Sequence, residues 1–331
     1  MVQKDTPKIV AFIDLLGTKN RIGKSSKGDS FDALRPIINY NHITFSKICE
    51  GIAHPSESYD KELQELAKIN LIDSFEYFLP FSDSVFIMSN DCCSFIKQLG
   101  NYIFGLYNFT IDFYKKDFYI KPSTNPIDLE KVKMPTLSLG KDGELEITNN
   151  VCNYYPALFR GGISFGEACS IKLYSIANKV PSKIVTITGE AVSNAVELEK
   201  KIKGPRLVFE KTVYDQLDED TCDYCRITPE SHDLYEILWP AFNYFKHSNP
   251  SNNEQEIDEL RRLLDPTYNL WEKYKNEESL SIHYFNLIEL IIASTIQFFD
   301  NKCQLKKLAI DKISEWLNDN ELQHKIDIKK Y

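Results

Sequence analysis

The sequence predicts an α+β fold in which an antiparallel sheet carries helices on one face and a helical region follows it. Over the first two thirds of the 331 residues, apolar strand-like runs alternate with segments of helical periodicity. Pairs of strand-like runs joined by short turns favour antiparallel pairing. From about residue 232 onward the sequence is mainly helical. Hydrophobic residues make up 43% of the chain and charged residues 26%, which is typical of a globular protein.

Chain length and net charge limit the domain organisation and the partners. A chain of 331 residues exceeds the usual size of one domain, so one large domain with an extension or two smaller domains are expected. We expect one domain over residues 1–231 and a helical C-terminal extension over residues 232–331. The net charge of −9 argues against a basic surface for DNA or RNA. A nucleotide is still possible, because a metal ion can bring positive charge with it.

The sequence favours a cytoplasmic location. The first residues, MVQKDTPK, lack the apolar core of a secretory signal, so the eight cysteines are expected to be reduced thiols. The most apolar late stretch, residues 284–299, is interrupted by Asn286, Glu289 and Gln297. We therefore expect a buried helix there rather than a membrane span, and no membrane partner.

The first half of the chain begins with a strand and contains a hairpin. The β-branched run KIVAFIDLLG predicts a strand buried on both faces. Two short apolar runs joined tightly around Ser82 and Asp83 predict the hairpin. In chain order, the expected elements are a strand at 8–17, helical segments at 30–72, strands at 74–81 and 84–89, and a helix at 93–116.

The second half alternates strands with one amphipathic helix. Pro-rich residues 119–135 predict a loop, and the turn residues 141–143 predict a hairpin. Apolar residues then recur at spacings of four, three and four, which predicts a helix with a core-facing stripe. The stripe consists of Ala191, Ala195, Leu198 and Ile202. In chain order, the expected elements are a hairpin at 137–148, strands at 157–168 and 184–188, a helix at 189–204 and a strand at 206–209.

One carboxylate interrupts the first predicted strand. Asp14 lies within a run that otherwise consists almost entirely of apolar side chains. Burying a lone carboxylate is costly, so Asp14 should have a cation, a network of hydrogen-bond donors or a metal ion as its partner.

A second carboxylate is expected close to the first. Asp83 lies at the tip of the predicted hairpin, and pairing of that hairpin with the first strand would bring it near Asp14. Like charges so placed repel unless a divalent cation lies between them. Carboxylate, carbonyl and phosphate oxygens are the ligands that Mg²⁺ and Mn²⁺ prefer. The alternative is a strand-end residue and a turn residue that are solvated separately.

An arginine followed by two glycines forms the third candidate feature. In FRGGISFGE, Arg160 precedes Gly161 and Gly162 within an apolar strand. Glycines weaken a strand unless a ligand or another subunit's backbone must approach closely. Arg160 could spread charge over a phosphoryl group in a transition state, or it could form an internal ion pair.

Four motifs together resemble the class III nucleotidyl cyclase domain. They are FIDLLG, FSDSVFIM, FRGGISFGEA and TGEAVSNAVELEK, in the order and spacing of that family over roughly residues 8–210. The style of RGGISFGEA and the helical C-terminal region are most similar to the bacterial pyrimidine cyclases of the Pycsar anti-phage systems. The resemblance implies a ferredoxin-like antiparallel palm that works as a head-to-tail homodimer, with the active site at the subunit interface.

The resemblance also implies a set of site residues. Asp14 and Asp83 match the two metal-binding aspartates, which hold two Mg²⁺ or Mn²⁺ ions, and the Leu15 carbonyl matches a ligand of the second ion. Gly17 and Thr18 match positions whose backbone N–H groups hold the triphosphate. In the implied reaction the 3′-hydroxyl attacks the α-phosphorus and pyrophosphate leaves.

Two helix positions depart from the family pattern. Purine cyclases have an asparagine and an arginine that stabilise the transition state, and this chain has Ser193 and Glu197 at those positions, with Asn194 one residue late. Arg160 or Arg206 is then a possible substitute for the missing arginine. A catalytically inactive cyclase-like domain that only binds nucleotide or a partner is one alternative function.

Two further departures concern the base. Leu79 and Thr186 stand where adenine-selecting members have a lysine and an aspartate, which argues against ATP and, less strongly, against GTP. The Thr186 hydroxyl can donate or accept and so suits either pyrimidine, whereas Leu79 is alternatively a plain core residue. Overall likeness to the cytidylate-cyclase members favours CTP, with UTP as the alternative.

The expected function is that of a cytidylate cyclase whose product, cyclic CMP, signals to a separate effector in anti-phage defence. The effector and the defence role are implied by the resemblance. A dinucleotide cyclase is a further alternative, and it is disfavoured because the glycine pair continues as ISF rather than as acidic residues.

Overall fold

The computed structural model describes residues 6–16, 72–81, 83–115, 119–121, 130–139, 145–154, 158–177, 180–247, 253–300 and 303–331. It confirms the α+β prediction, because a mostly antiparallel sheet carries helices and further helices follow it. Gly17, Thr18, the turn predicted at 141–143 and, apart from residue 72, the helical segments predicted at 30–72 lie outside the described residues.

The strands form two sheets. In the described part of the chain they are β1 (Thr6–Leu15), β2 (Tyr77–Phe81), β3 (Ser84–Ser89), β4 (Tyr119–Lys121), β5 (Glu130–Leu139), β6 (Leu145–Tyr154), β7 (Phe159–Ala177), β8 (Val180–Thr188), β9 (Leu207–Glu210), β10 (Cys225–Thr228) and β11 (Ser231–Ile237). The main sheet has the order β10-β11-β9-β7-β1-β3-β2, with β8 also paired to β7, and β4-β5-β6 form a smaller sheet. β9 runs parallel to β7, and β1 lies between its antiparallel neighbours β3 and β7.

Helices lie on both faces of the main sheet, so the expectation of helices on one face is wrong. The helices are α1 (Cys92–Lys115), α2 (Glu190–Glu199), α3 (Lys211–Tyr214), α4 (Glu219–Cys222), a 3₁₀ helix (Trp239–His247), α5 (Asn253–Tyr274), α6 (Glu278–Phe298), α7 (Cys303–Asp319) and a second 3₁₀ helix (Ile328–Lys330). Successive strand residues point to opposite faces. Ile9 and Ile13 of β1 accordingly share a cluster with Leu99 of α1, whereas Val10 packs with Ala191 of α2.

The α2 stripe predicted from the sequence is confirmed. All four stripe residues are buried, and α2 packs against β1 and β7. The helix begins at Glu190, directly after Gly189, whose φ of 135° is readily adopted only by glycine. The helix ends at Glu199, earlier than predicted.

Further predicted boundaries differ from those of the structure. The loop predicted at 119–135 contains β4 and the first residues of β5, which pairs with β6 in a hairpin longer than expected. The strand predicted at 157–168 continues as β7 to Ala177, and its second part pairs with β8. β7 therefore extends well past Ala168, the residue that pairs with Thr6 at the start of β1.

The C-terminal region begins with a strand and shares the core of the sheet. β11 pairs with β9 and β10, although the sequence predicts helix from about residue 232. One hydrophobic cluster contains Ile9 and Ile87 of the sheet, Leu263 of α5 and Ile291 of α6. The division between residues 231 and 232 stays a prediction.

Helix α6 is buried in this shared core. Among the described residues it is the one helix that is long and apolar enough to cross a membrane. In the structure 67% of its most apolar window is buried, and Ile288, Ile291 and Ile292 are fully enclosed. The buried helix predicted at 284–299 is confirmed.

Candidate active site

Asp14 and Asp83 lie side by side where β1 and the β2–β3 hairpin meet. The register of β1 with β3 places Asp14 opposite Ser84, the residue that follows Asp83. The Leu15 amide donates a hydrogen bond of 3.1 Å to the Asp83 carbonyl, which fixes the hairpin turn against the end of β1. Two carboxylates that are distant along the chain are thereby brought together.

The Asp14 carboxylate is mostly buried and interacts with Ser84 and Arg160. Its side chain is 25% exposed. The Ser84 hydroxyl donates a hydrogen bond of 2.7 Å to Oδ1, and Nη2 of Arg160 lies 4.0 Å from Oδ2. Arg160 reaches this position because β7 pairs with β1 in a register that places it opposite Asp14.

These surroundings raise the pKa of Asp14 above its usual value. Burial is the largest cause, and the charge of Asp83 adds to it, while the Ser84 hydrogen bond and the charge of Arg160 lower the pKa. A cation between the two aspartates would offset this cost. The proximity of the carboxylates does not match the alternative in which each one is solvated separately.

Arg160 is held by a carboxylate that the sequence motifs do not predict. Its Nε pairs with Oε1 of Glu199, at the end of α2, and the Glu199 side chain is 5% exposed. Burial raises the pKa of Glu199, Arg160 lowers it and Asp14 raises it. The guanidinium therefore lies between two carboxylates, so the internal ion pair considered for Arg160 is present. The sequence does contain an indication that Glu199 is buried. It follows Ala195 by four residues, which places both on the same, buried face of α2.

Gly161 and Gly162 allow close approach by this chain's own elements. A Cβ at Gly162 would lie 2.0 Å from the carbonyl oxygen of Ala195 in α2. A Cβ at Gly161 would lie 2.7 Å from the carbonyl oxygen of Phe12 in β1. Both distances are shorter than real Cβ contacts, so the glycines are explained by β1 and α2 without a ligand or another subunit.

Within one chain, the carboxylates of Asp14 and Asp83 lie away from three other predicted site residues, which are Thr186, Ser193 and Asn194. Thr186 pairs with Ile171 of β7, beyond Ala168, the last β7 residue that pairs with β1. The carboxylates lie at the opposite end of β1. Ser193 and Asn194 lie in the N-terminal half of α2, whose C-terminal end is the one near the carboxylates. All three side chains are exposed.

Glu197 and Arg206 form ion pairs with residues other than Asp14 and Asp83. Glu197 is 68% exposed and pairs with Lys200 at 2.8 Å on the surface of α2. Arg206 is buried and pairs with Glu230 and Glu236. The guanidinium of Arg206 is therefore engaged in a core network, which argues against its acting as the missing arginine.

The donor set at Asp14 and Asp83 fits a hard divalent cation. Two carboxylates converge, and their mutual repulsion contributes to the raised pKa of Asp14. Within the described residues, no group of three or more histidine, cysteine or acidic side chains is arranged to hold a metal ion. Two carboxylates leave further coordination positions for other oxygen ligands, as is common for Mg²⁺.

Comparison with known proteins gives only distant structural similarity. No protein-family model and no curated protein matches the chain. The adenylyl cyclase CyaB from P. aeruginosa is 14% identical, with a TM-score of 0.37 over 72% of this chain and 95% of that chain. The guanylate cyclase domain of RhGC from Catenaria anguillulae in complex with GTP is 11% identical, with a TM-score of 0.38 over 71% and 98%. The guanylyl cyclase Cya2 is 11% identical, with a TM-score of 0.37 over 72% and 94%. Similarity at this level concerns the fold and does not establish a substrate.

Proposed function

We propose that this chain is a metal-dependent nucleotidyl cyclase that converts CTP into 3′,5′-cyclic CMP and pyrophosphate. The observation that carries the proposal is the convergence of Asp14 and Asp83 at neighbouring strand ends. Their sequence contexts, FIDLLG and FSDSVFIM, are two of the four motifs that resemble class III nucleotidyl cyclases.

Asp14 and Asp83 would hold two Mg²⁺ or Mn²⁺ ions, with the Leu15 carbonyl as a further ligand. When bound, such ions lower the pKa of the attacking 3′-hydroxyl and neutralise the triphosphate. The chain's own contribution is to fix the carboxylates, through the Ser84 hydroxyl and through the hydrogen bond from the Leu15 amide to the hairpin turn. Fixed ligands avoid reorganisation during the reaction.

Arg160 and the residues after β1 would bind the phosphates. Arg160 lies beside Asp14, where its positive charge would stabilise negative charge that develops on the phosphoryl group. Gly17 and Thr18, which lie outside the described residues, follow closely after Leu15 in the sequence. Their backbone N–H groups would hold the triphosphate, as the family resemblance implies.

The proposed active site is completed by a second copy of the chain. Thr186, Ser193 and Asn194 are exposed and lie away from the carboxylates of their own chain. A head-to-tail homodimer would place these residues of one copy against the carboxylates of the other. Such a dimer has two equivalent sites, because a two-fold axis presents the same surfaces twice.

The base preference rests on uncharged side chains. Thr186 is exposed and Leu79 is half-buried, so neither offers the charge with which the family selects adenine. The Thr186 hydroxyl can donate or accept, which suits the polar edge of cytosine or uracil. CTP is favoured by likeness to the cytidylate-cyclase members, and UTP is the alternative. The cyclic product would signal in the cytoplasm to a separate effector in anti-phage defence.

The test is incubation of the purified protein with Mn²⁺ and each of the four nucleoside triphosphates, with products identified by mass spectrometry. Cyclic CMP is the expected product. Asp14→Asn and Asp83→Asn should each abolish it without loss of the fold, because each change removes a metal ligand. Asp233→Asn, at an exposed carboxylate on β11, should retain activity. Normal turnover by either of the first two variants would contradict the assignment.

A catalytically inactive nucleotide-binding domain is the second candidate. It is favoured by the exposure of Ser193 and by the surface ion pair of Glu197, since neither reproduces the asparagine and arginine of active purine cyclases. This candidate predicts that nucleotide binds in an equilibrium titration while no cyclic product forms from any of the four triphosphates. Formation of a cyclic product excludes it.

A further inference from the structure

Arg160 lies closer to the Glu199 carboxylate than to the Asp14 carboxylate. Its Nε is in close contact with Glu199, whereas its Nη2 lies 4.0 Å from Asp14, at the outer limit of an ion pair. Glu199 is nearly enclosed, and Asp14 is 25% exposed. The position of the guanidinium is therefore set mainly by α2.

The close packing of α2 on β7 keeps Glu199 in place. Gly162 has no Cβ, which lets the backbone of α2 lie directly on β7, and a Cβ at Gly162 would lie 2.6 Å from the Glu199 amide nitrogen. This packing fixes the backbone of Glu199 close to β7, and the Glu199 side chain is 5% exposed. Arg160 is therefore paired with a carboxylate that is enclosed by the protein.

Among the residues that the structure describes, Asp14 is the other carboxylate that forms an ion pair with Arg160, so it would be the partner left if Glu199 were lost. A guanidinium paired directly with Asp14 would compete with a divalent cation for the same oxygens, because both are positively charged and both need the carboxylate lone pairs. Residues that interact with a metal ligand commonly change the affinity for the metal, although they do not contact the ion themselves.

We propose that Glu199 is a positioning residue that keeps Arg160 away from Asp14 and thereby preserves the affinity of Asp14 for a divalent cation. The proposal rests on the proposed function, because it takes Asp14 as a metal ligand. It assigns to Glu199 a role that acts through Arg160 and involves no contact with the ion.

The test is a titration of nucleotide-free protein with Mn²⁺, in which the electron paramagnetic resonance signal of free Mn²⁺ gives the dissociation constant. Glu199→Gln should weaken binding by about tenfold, because the neutral amide releases Arg160. Glu199→Asp keeps the charge and should retain most of the affinity. Glu197→Gln, on the same helix but in a surface ion pair, is the matched control and should bind as the unmodified protein does.

A double-variant cycle separates action through Arg160 from direct action on the ion. In protein that carries Arg160→Ala, the further change Glu199→Gln should cause little additional loss of Mn²⁺ affinity, since the competing guanidinium is already absent. An equal loss in both backgrounds would mean that Glu199 acts directly on the ion, and it would overturn the proposal. Unfolding midpoints of all variants confirm that folded proteins are compared.

Two further measurements distinguish failure of this inference from failure of the proposed function. If the unmodified protein does not bind Mn²⁺, or if Asp83→Asn binds it equally well, the metal site and this inference both fail. If the unmodified protein binds Mn²⁺, Asp83→Asn loses it and Glu199→Gln binds normally, this inference alone is wrong.

Discussion

At the scale of single residues, Arg160 joins the candidate site to the body of the protein. It lies on a central strand, faces Asp14 across the sheet register and is held by Glu199 from the helix above. A positive charge that is fixed before substrate binds can stabilise developing negative charge without reorganisation. Arg160 therefore has a proposed role in the reaction as well as a structural role through its ion pairs.

Replacement of this residue by Arg160→Ala should reduce turnover by about 100-fold or more, because one fixed donor to the phosphoryl group is lost. The measurement is kcat with saturating CTP and Mn²⁺. Arg160→Lys, which keeps the charge but not the planar pair of donors, should lose less. An unchanged rate in Arg160→Ala would leave the residue with a structural role alone.

The aspartates could be predicted from the sequence, whereas for Glu199 helical spacing indicates its position on the buried face but not its pairing with Arg160. Asp14 stands out because it interrupts an apolar run and a buried carboxylate needs a partner, and Asp83 stands out because it lies at the tip of a predicted hairpin. Glu199 precedes two lysines in ELEKK and looks like part of a solvated helix end. Its burial depends on how closely α2 approaches β7, which is a tertiary property.

At the scale of elements, the contact between α2 and β7 determines the geometry near the carboxylates. Gly162 permits that contact, because any side chain there would meet the backbone of α2. The strands and α2 itself could be predicted, since strand alternation and helical periodicity are local properties. The continuation of β7 past β1 and the strand β11 could not, because both depend on partners that are remote in the sequence.

Gly162→Ala should destabilise the protein by about 1–3 kcal/mol, as overpacking of a tight interface does. The added Cβ would lie 2.0 Å from the Ala195 carbonyl oxygen, so α2 must move. Urea unfolding monitored by circular dichroism measures the change. The matched control is Gly166→Ala on the same strand, where the nearest atom would lie 3.8 Å away and little change is expected. Equal stability of the two variants would show that the contact is not tight.

At the scale of the whole molecule, the predicted site residues fall into two separate groups. Asp14, Asp83 and Arg160 lie at one end of β1, and Thr186 lies past the other end. β7 runs through both regions and links them within one chain. A homodimer would use both groups, one from each copy.

This arrangement predicts complementation between two inactive variants. Asp14→Asn removes a metal ligand, and Thr186→Arg places a long charged side chain at the proposed base site. In a mixed dimer one site would carry both changes and the other neither, so random exchange of subunits should restore roughly a quarter of normal activity. The assay measures cyclic product before and after the two inactive proteins are mixed.

A second mixture provides the control for this experiment. Asp14→Asn and Asp83→Asn affect the same group of residues, so every site in their mixed dimers carries one defect and the mixture should stay inactive. Native mass spectrometry verifies subunit exchange in both mixtures. If exchange occurs and the first mixture remains inactive, the active site is not divided between two copies.

The main sheet and the C-terminal helices share one hydrophobic core, so residues 1–231 are not expected to fold when they are separated from those helices. Leu263 and Ile291 lie in the same apolar cluster as Ile9 and Ile87, so separating the helices would expose the interior beneath the strand that carries Asp14. A gene fusion that moved only residues 1–231 to another protein would cut through β11 and leave that interior open to water. Natural recombination faces the same constraint, which favours inheritance of the sheet and its C-terminal helices as one unit.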